Sequence, residues 1–164
     1  MDTRSIEGVG VIRPARRETI EKFWAARWGI PIVTPTWIYR PADVEGLSLR
    51  DDQERVLGLI TWKLNASQAE IVSFDTMEHS RGWGSHLLQA AEEQLAACEA
   101  EWVRVFTTND NLPGLRFYLH RGYRLVKVHL NAMDHVREIK PRVPSHGREG
   151  VVLQDLWEVQ KSLA

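Results

Sequence analysis

Residues 79–88, His79-Ser80-Arg81-Gly82-Trp83-Gly84-Ser85-His86-Leu87-Leu88, carry two glycines two apart where an apolar helical pattern begins. A helix start presents unpaired backbone N–H groups and a partial positive charge. A glycine-rich entry lets an anion come close to them. Arg81 would add charge to such a cradle and Ser85 a hydroxyl donor, while Gly82 and Gly84 remove Cβ atoms from the anion's path. Two familiar phosphate loops do not fit. The P-loop requires Gly-Lys-Ser/Thr, and no lysine follows. The dinucleotide fingerprint requires a third glycine where Leu87 stands. By itself, Arg-Gly-x-Gly is equally an ordinary turn.

Other reactive side chains group less sharply. His79, His86, His120, His129, His135 and His146 form no His-Glu-x-x-His, and there is one cysteine, so no metal site is expected. Cys98 falls on the apolar side of a helical pattern and reads as a small buried hydrophobe rather than a nucleophile. No Gly-x-Ser-x-Gly elbow is present. Asn111, placed before Leu-Pro, is a good helix N-cap.

The elements that must hold these residues follow from periodicity and breakers. Residues 9–15 predict a first strand. Residues 15–28 predict a helix with Ile20, Phe23, Trp24 and Trp28 on one face, stopped by Gly29 and Pro31. Trp24 and Trp28, four apart, are expected in the core. Pro31, Pro35 and Pro41 make the next stretch irregular. Residues 47–76 read as three strands with turns at 51–54 and 65–68. A long helix follows the glycines, with Leu87, Leu88, Ala91, Leu95 and Cys98 at helical spacing. Then come a strand near 101–108, a short helix ended by Gly122, a strand from Tyr123, a short helix stopped by Pro141, and a tail expected to be strand at its start, near Val151.

Two motifs in this setting resemble the GNAT superfamily of acetyl-coenzyme A-dependent N-acetyltransferases. The family's Q/R-x-x-G-x-G/A, between a strand and a long helix, reads His79 to Gly84 here, with both glycines in place and His79 for the leading Gln/Arg. Its N-x-x-A-x-x-x-Y-x-x-x-G-F falls on Asn111, Gly114, Tyr118, Gly122 and Tyr123, with Gly114 for alanine and Tyr123 for phenylalanine. The likeness covers nearly the whole chain, least distinctly from about residue 30 to 55. It points to a compact bacterial branch whose substrates are mostly unassigned.

The resemblance implies an α/β (α+β) GNAT fold, a mixed, mostly antiparallel central sheet flanked by helices, as one domain over residues 1–164. It implies acetyl-coenzyme A as co-substrate, with no metal. The pyrophosphate would rest on the turn of His79, Ser80, Arg81, Gly82, Trp83, Gly84 and Ser85, and Asn111 either contacts the cofactor or only caps its helix. Backbone groups at Ser73 and Phe74 would meet the thioester. Tyr118 would protonate the departing sulfur, or is merely a packed aromatic beside Phe117. Glu70 would take the amine's proton through water, or faces solvent. Asp75 is a second carboxylate that would substitute for it or hold a cationic substrate. Trp37 and Tyr39 border the implied acceptor site and either stack on the acceptor or anchor their loop. The expected reaction is direct attack of a primary amine, on a small molecule or peptide, within a ternary complex. The rivals are a coenzyme A-binding module without transfer and a transferase with a longer acyl donor. Homodimers are common among relatives, and the tail would offer a strand for one.

Bulk properties narrow the classes further. A net charge of −1 gives no global field to draw nucleic acid or anionic lipid, and no apolar run is long enough to span a membrane. The absence of a signal-like N-terminus and of any cysteine pair leads to the expectation of a cytoplasmic protein.

Overall fold

A mixed sheet of eight strands organises the computed structural model, which describes residues 3–79 and 81–164. Strands β1 (Arg4–Ile6) and β2 (Gly10–Pro14) form a hairpin, so the single first strand expected near residues 9–15 is two. Helix α1 (Arg17–Arg27) follows, then the short hairpin β3 (Ile32–Val33) and β4 (Ile38–Tyr39) within the proline-broken stretch. The meander β5 (Glu45–Arg50), β6 (Val56–Asn65) and β7 (Gln68–Thr76) is the three-strand run read from alternation. Helix α2 (Trp83–Ala97), β8 (Trp102–Thr108), α3 (Leu112–His120), β9 (Arg124–His129), α4 (Ala132–Ile139) and β10 (Leu156–Ser162) complete the chain.

The sheet order is β1-β2-β5-β6-β7-β8-β10-β9, and every pair is antiparallel except β7 with β8. The mostly antiparallel α/β architecture expected from the sequence is therefore present. The tail is a strand, but at its end rather than at its start, and it enters between β8 and β9.

Alternating side chains divide the core between the two faces of the sheet. On one face, Leu87, Leu88, Ala91 and Leu95 of α2 pack on Leu47, Ile60 and Ile71. On the other, Ile20, Phe23 and Trp24 of α1 pack on Leu59 and Val72. Two expected core residues lie outside. Helix α1 ends at Arg27, and Gly29 turns the chain at φ 78°, so Trp28 is 37% exposed while Trp24 is fully buried. Helix α2 ends at Ala97, so Cys98 leaves the helical register and is exposed, and Ala100 is buried instead.

Candidate active site

Strands β7 and β8 part company half-way along. They pair in parallel over four positions, from Gln68 opposite Trp102 to Ile71 opposite Val105. Beyond that, β7 stays with β6 as far as Thr76 opposite Gly58, and β8 stays with β10 as far as Thr108 opposite Leu156. Each strand is held by its outer neighbour, so the inner edges diverge into a cleft of about 660 Å³. Successive amides of a strand point to alternate sides, so every second peptide group over residues 72–76 faces the opening without a strand partner.

A bulge lies where the strands separate. Ile71 is opposite Trp62 and Ser73 opposite Thr61, which leaves Val72 as the extra residue. A bulge bends a strand and re-aims the residues beyond it. Ser73 and Asp75 thereby meet α1, while Phe74 meets α3. Ser73 Oγ accepts from Trp24 Nε1 at 2.9 Å and shares a hydrogen bond with Thr61 Oγ1, so its hydroxyl is committed and its backbone is what remains available. Phe74 lies against Phe117 and Tyr118, with ring centroids 5.7 and 6.5 Å away.

Tyr118 is 7% exposed and wedged between Phe117 and Tyr123, yet it lines the cleft. Its hydroxyl has no hydrogen-bond partner among the described residues. Burial, then the Asp75 charge, raises its pKa well above an ordinary tyrosine's. The phenol therefore stays protonated and able to donate. Asn111 caps α3: its Oδ1 accepts from the Gly114 amide at 3.0 Å and its Nδ2 donates to Thr107 Oγ1 at 2.8 Å. It also lines the cleft.

The start of α2 lies just behind Phe74. Gly82 is the N-cap residue, at φ 78°, and a Cβ there would meet open space. Gly84 faces inward instead, since its Cβ would stand 3.4 Å from Phe74 and 3.6 Å from Phe117. Its smallness serves packing under the cradle rather than access to it. No side chain caps the helix among the described residues, so the amides of Trp83, Gly84 and Ser85 are left to solvent or a ligand. Arg81 is exposed and paired with Glu78 at 2.9 Å. His79 is also exposed, 3.6 Å from Asp75. Ser80 lies outside the described residues. Arg121, which neither motif specifies, donates to Ser85 Oγ and stacks 3.6 Å from the Phe117 ring centroid. A guanidinium is thus fixed beside the positive end of a helix, an arrangement that an anion relieves. Only its place one residue before Gly122 hinted at it, and spacing cannot show that it reaches back to Ser85.

Glu70 faces neither solvent nor the cleft. It is 3% exposed, opposite Arg104, one pair before β7 and β8 separate. Arg104 Nε donates to its Oε1 at 2.9 Å, Thr36 Oγ1 to the same oxygen at 2.6 Å, and Thr34 Oγ1 to Oε2 at 2.9 Å. The group ties the β3–β4 hairpin to the sheet. Asp75 accepts from Arg27 Nη1 at 2.6 Å and lines a neighbouring cavity of about 820 Å³ that shares Arg27 and Trp28 with the cleft. Trp37 and Tyr39 do not act together. Trp37 is exposed at the hairpin tip, whereas Tyr39 is buried in the α1 core, where burial, outweighing the Thr36 hydroxyl, pushes its pKa up to about 12. Tyr39 anchors the loop.

Residues 6–123 match the model of the acetyltransferase (GNAT) family. The chain belongs to the GNAT acetyltransferase family. Bacillus subtilis (strain 168) YxbD is 31% identical over 148 residues, spanning 90% of this chain and 93% of its own. Among solved structures, the Bacillus cereus IAA acetyltransferase superposes with a TM-score of 0.74 at 18% identity, covering 92% of this chain and 97% of that one. A Bacillus subtilis acetyltransferase in complex with CoA superposes at 0.64 and 17% identity, covering 75% and 79%. In this GNAT chain, then, the parted strands, the α2 start and Tyr118 all lie in the matched region.

Proposed function

We propose that the protein transfers an acetyl group from acetyl-coenzyme A to a primary amine by direct attack within a ternary complex. The parting of β7 from β8 beyond Ile71, with Tyr118 among the residues lining the gap, carries this reading. The residues suit the donor. The α2 amides with Arg121 would hold its pyrophosphate, and the free β7 edge at residues 72–74 would run beside its pantetheine arm. Acetyl-coenzyme A supplies an activated carbonyl with a thiolate leaving group. A β7 amide polarises that carbonyl, and Tyr118 gives its proton to sulfur. The amine nitrogen bonds to the carbonyl carbon as the carbon–sulfur bond breaks, and the amine's proton passes to water. No covalent enzyme intermediate is needed, because the cleft brings both substrates together.

Calorimetric titration with acetyl-coenzyme A, followed by thiol release with an amine panel, tests this. Gly82→Glu sets a carboxylate before the α2 amides and is expected to abolish binding. Tyr118→Phe is expected to bind normally and to lose about 10²-fold in kcat. A folded wild type that does not bind acetyl-coenzyme A would refute the reading.

A further inference from the structure

The cleft has two unlike walls. Phe74, Tyr118 and Asn111 form one. The other comes from α1 and the segment after α4, and it brings four cations, Arg27, Lys140, Arg142 and Arg148. Among the described residues, the single carboxylate lining the cleft is Asp110. Its oxygens are already engaged by the Thr108 hydroxyl and by the amide and guanidinium of Arg148. Arg27 is neutralised by Asp75.

Lys140 and Arg142 remain. Among the described residues neither lies within ion-pair distance of a carboxylate. Arg142 is exposed, whereas Lys140 is half-buried and donates to the Trp28 carbonyl at 2.7 Å. Burial lowers its pKa below an ordinary lysine's, the mark of a cation short of a counter-charge. The cleft's apolar lining includes Val33, Met133, Val136, Val143 and Leu153.

We propose that the acceptor is a small amine that also carries a carboxylate, of the apolar amino-acid class, with that carboxylate held by Lys140 and Arg142. The inference rests on the acetyltransferase reading. It accounts for two features together. An acceptor carboxylate completes the charge of the wall, and the apolar lining takes the side chain. The same cations disfavour a second positive charge, so they shift the bound acceptor towards the neutral amine that attacks. Proton loss to water then needs no free carboxylate in the cleft, which matches the engagement of Glu70, Asp75 and Asp110. Polycationic amines meet repulsion instead.

Thiol release from acetyl-coenzyme A is compared for apolar amino acids, for the same amino acids as carboxamides, and for spermidine. The free acids are expected to be the best substrates. Lys140→Met and Arg142→Met are each expected to raise KM for the acid about tenfold, with a smaller change in kcat, and to shrink the preference for acid over amide. Calorimetry on the same variants is expected to show unchanged affinity for coenzyme A. Equal rates for acid and amide, or a preference for spermidine, overturn the proposal while leaving the acetyltransferase reading in place. Weakened coenzyme A binding in the variants also overturns it, because the cations would then serve the donor's phosphates. Failure of the wild type to bind acetyl-coenzyme A overturns both.

Discussion

Glu70 illustrates how one side chain acquires its work from its neighbours. A buried carboxylate costs several kcal/mol unless paired and hydrogen-bonded, and here Arg104, Thr34 and Thr36 supply those partners. Glu70→Ala leaves Arg104 unpaired beneath the hairpin. The expected loss is about 3 kcal/mol, the low end for a broken buried pair, since Arg104 keeps 22% of its side chain exposed. Urea unfolding measures it. Glu70→Gln keeps the threonine contacts and is expected to lower stability less, with kcat changed by less than about tenfold. A collapse of kcat in Glu70→Gln at unchanged stability would instead make Glu70 the base. Tyr118 is the converse case. Its packing alone suggests a structural aromatic, but its hydroxyl has no hydrogen-bond partner among the described residues, and its raised pKa keeps the proton in place through about pH 10.

The α4 excursion, from β9 to β10, is fastened to the end of β8 in part through Asp110, which accepts from the amide and guanidinium of Arg148. Gly147 lies so close to Asp110 that a Cβ there would press on its carboxylate and on Leu153, so a larger residue would have to displace the tie. Burial alone would raise the Asp110 pKa, but the Arg148 amide, the Thr108 hydroxyl and the Arg148 charge outweigh it and hold the carboxyl below the usual range. A depressed folded pKa contributes stability above the unfolded value of about 4, and that contribution is lost as pH falls through the folded value. Asp110→Asn is therefore expected to melt earlier than wild type at pH 7, with the gap closing towards pH 3. A gap independent of pH would show that the tie is not ionic.

Across the whole molecule, the last strand has the largest consequences. β10 lies between β8 and β9 and satisfies both. It also holds β8 away from β7 over the stretch where the cleft opens. Truncation after Asp155 would bare the outer edge of β8 and strip the partner from β9, whose Leu125, Val126 and Val128 are already exposed. Unpaired apolar edges associate. The truncated chain is expected to lack a cooperative thermal transition and to aggregate. A soluble, cooperatively folded truncation that still binds acetyl-coenzyme A would show that β7 and β8 part without β10.

Local periodicity determined much of this protein. The amphipathic α1 and α2, the β5–β7 meander, the glycine turn before α2 and the Asn111 cap all rest on interactions within a few residues, so spacing alone reveals them. The family motifs fall on the same local features. Tertiary structure decided the rest. Whether Glu70 faced water, the cleft or an ion pair depended on Arg104, thirty-four residues away. Arg121 reached the α2 start only because α3 packs against Phe74 and Ser85. The insertion of β10 between β8 and β9, and the cationic wall after α4, join parts of the chain that share no local pattern. Long-range pairing is set by which edges and buried charges remain unsatisfied once the local elements have formed, and periodicity carries no record of that.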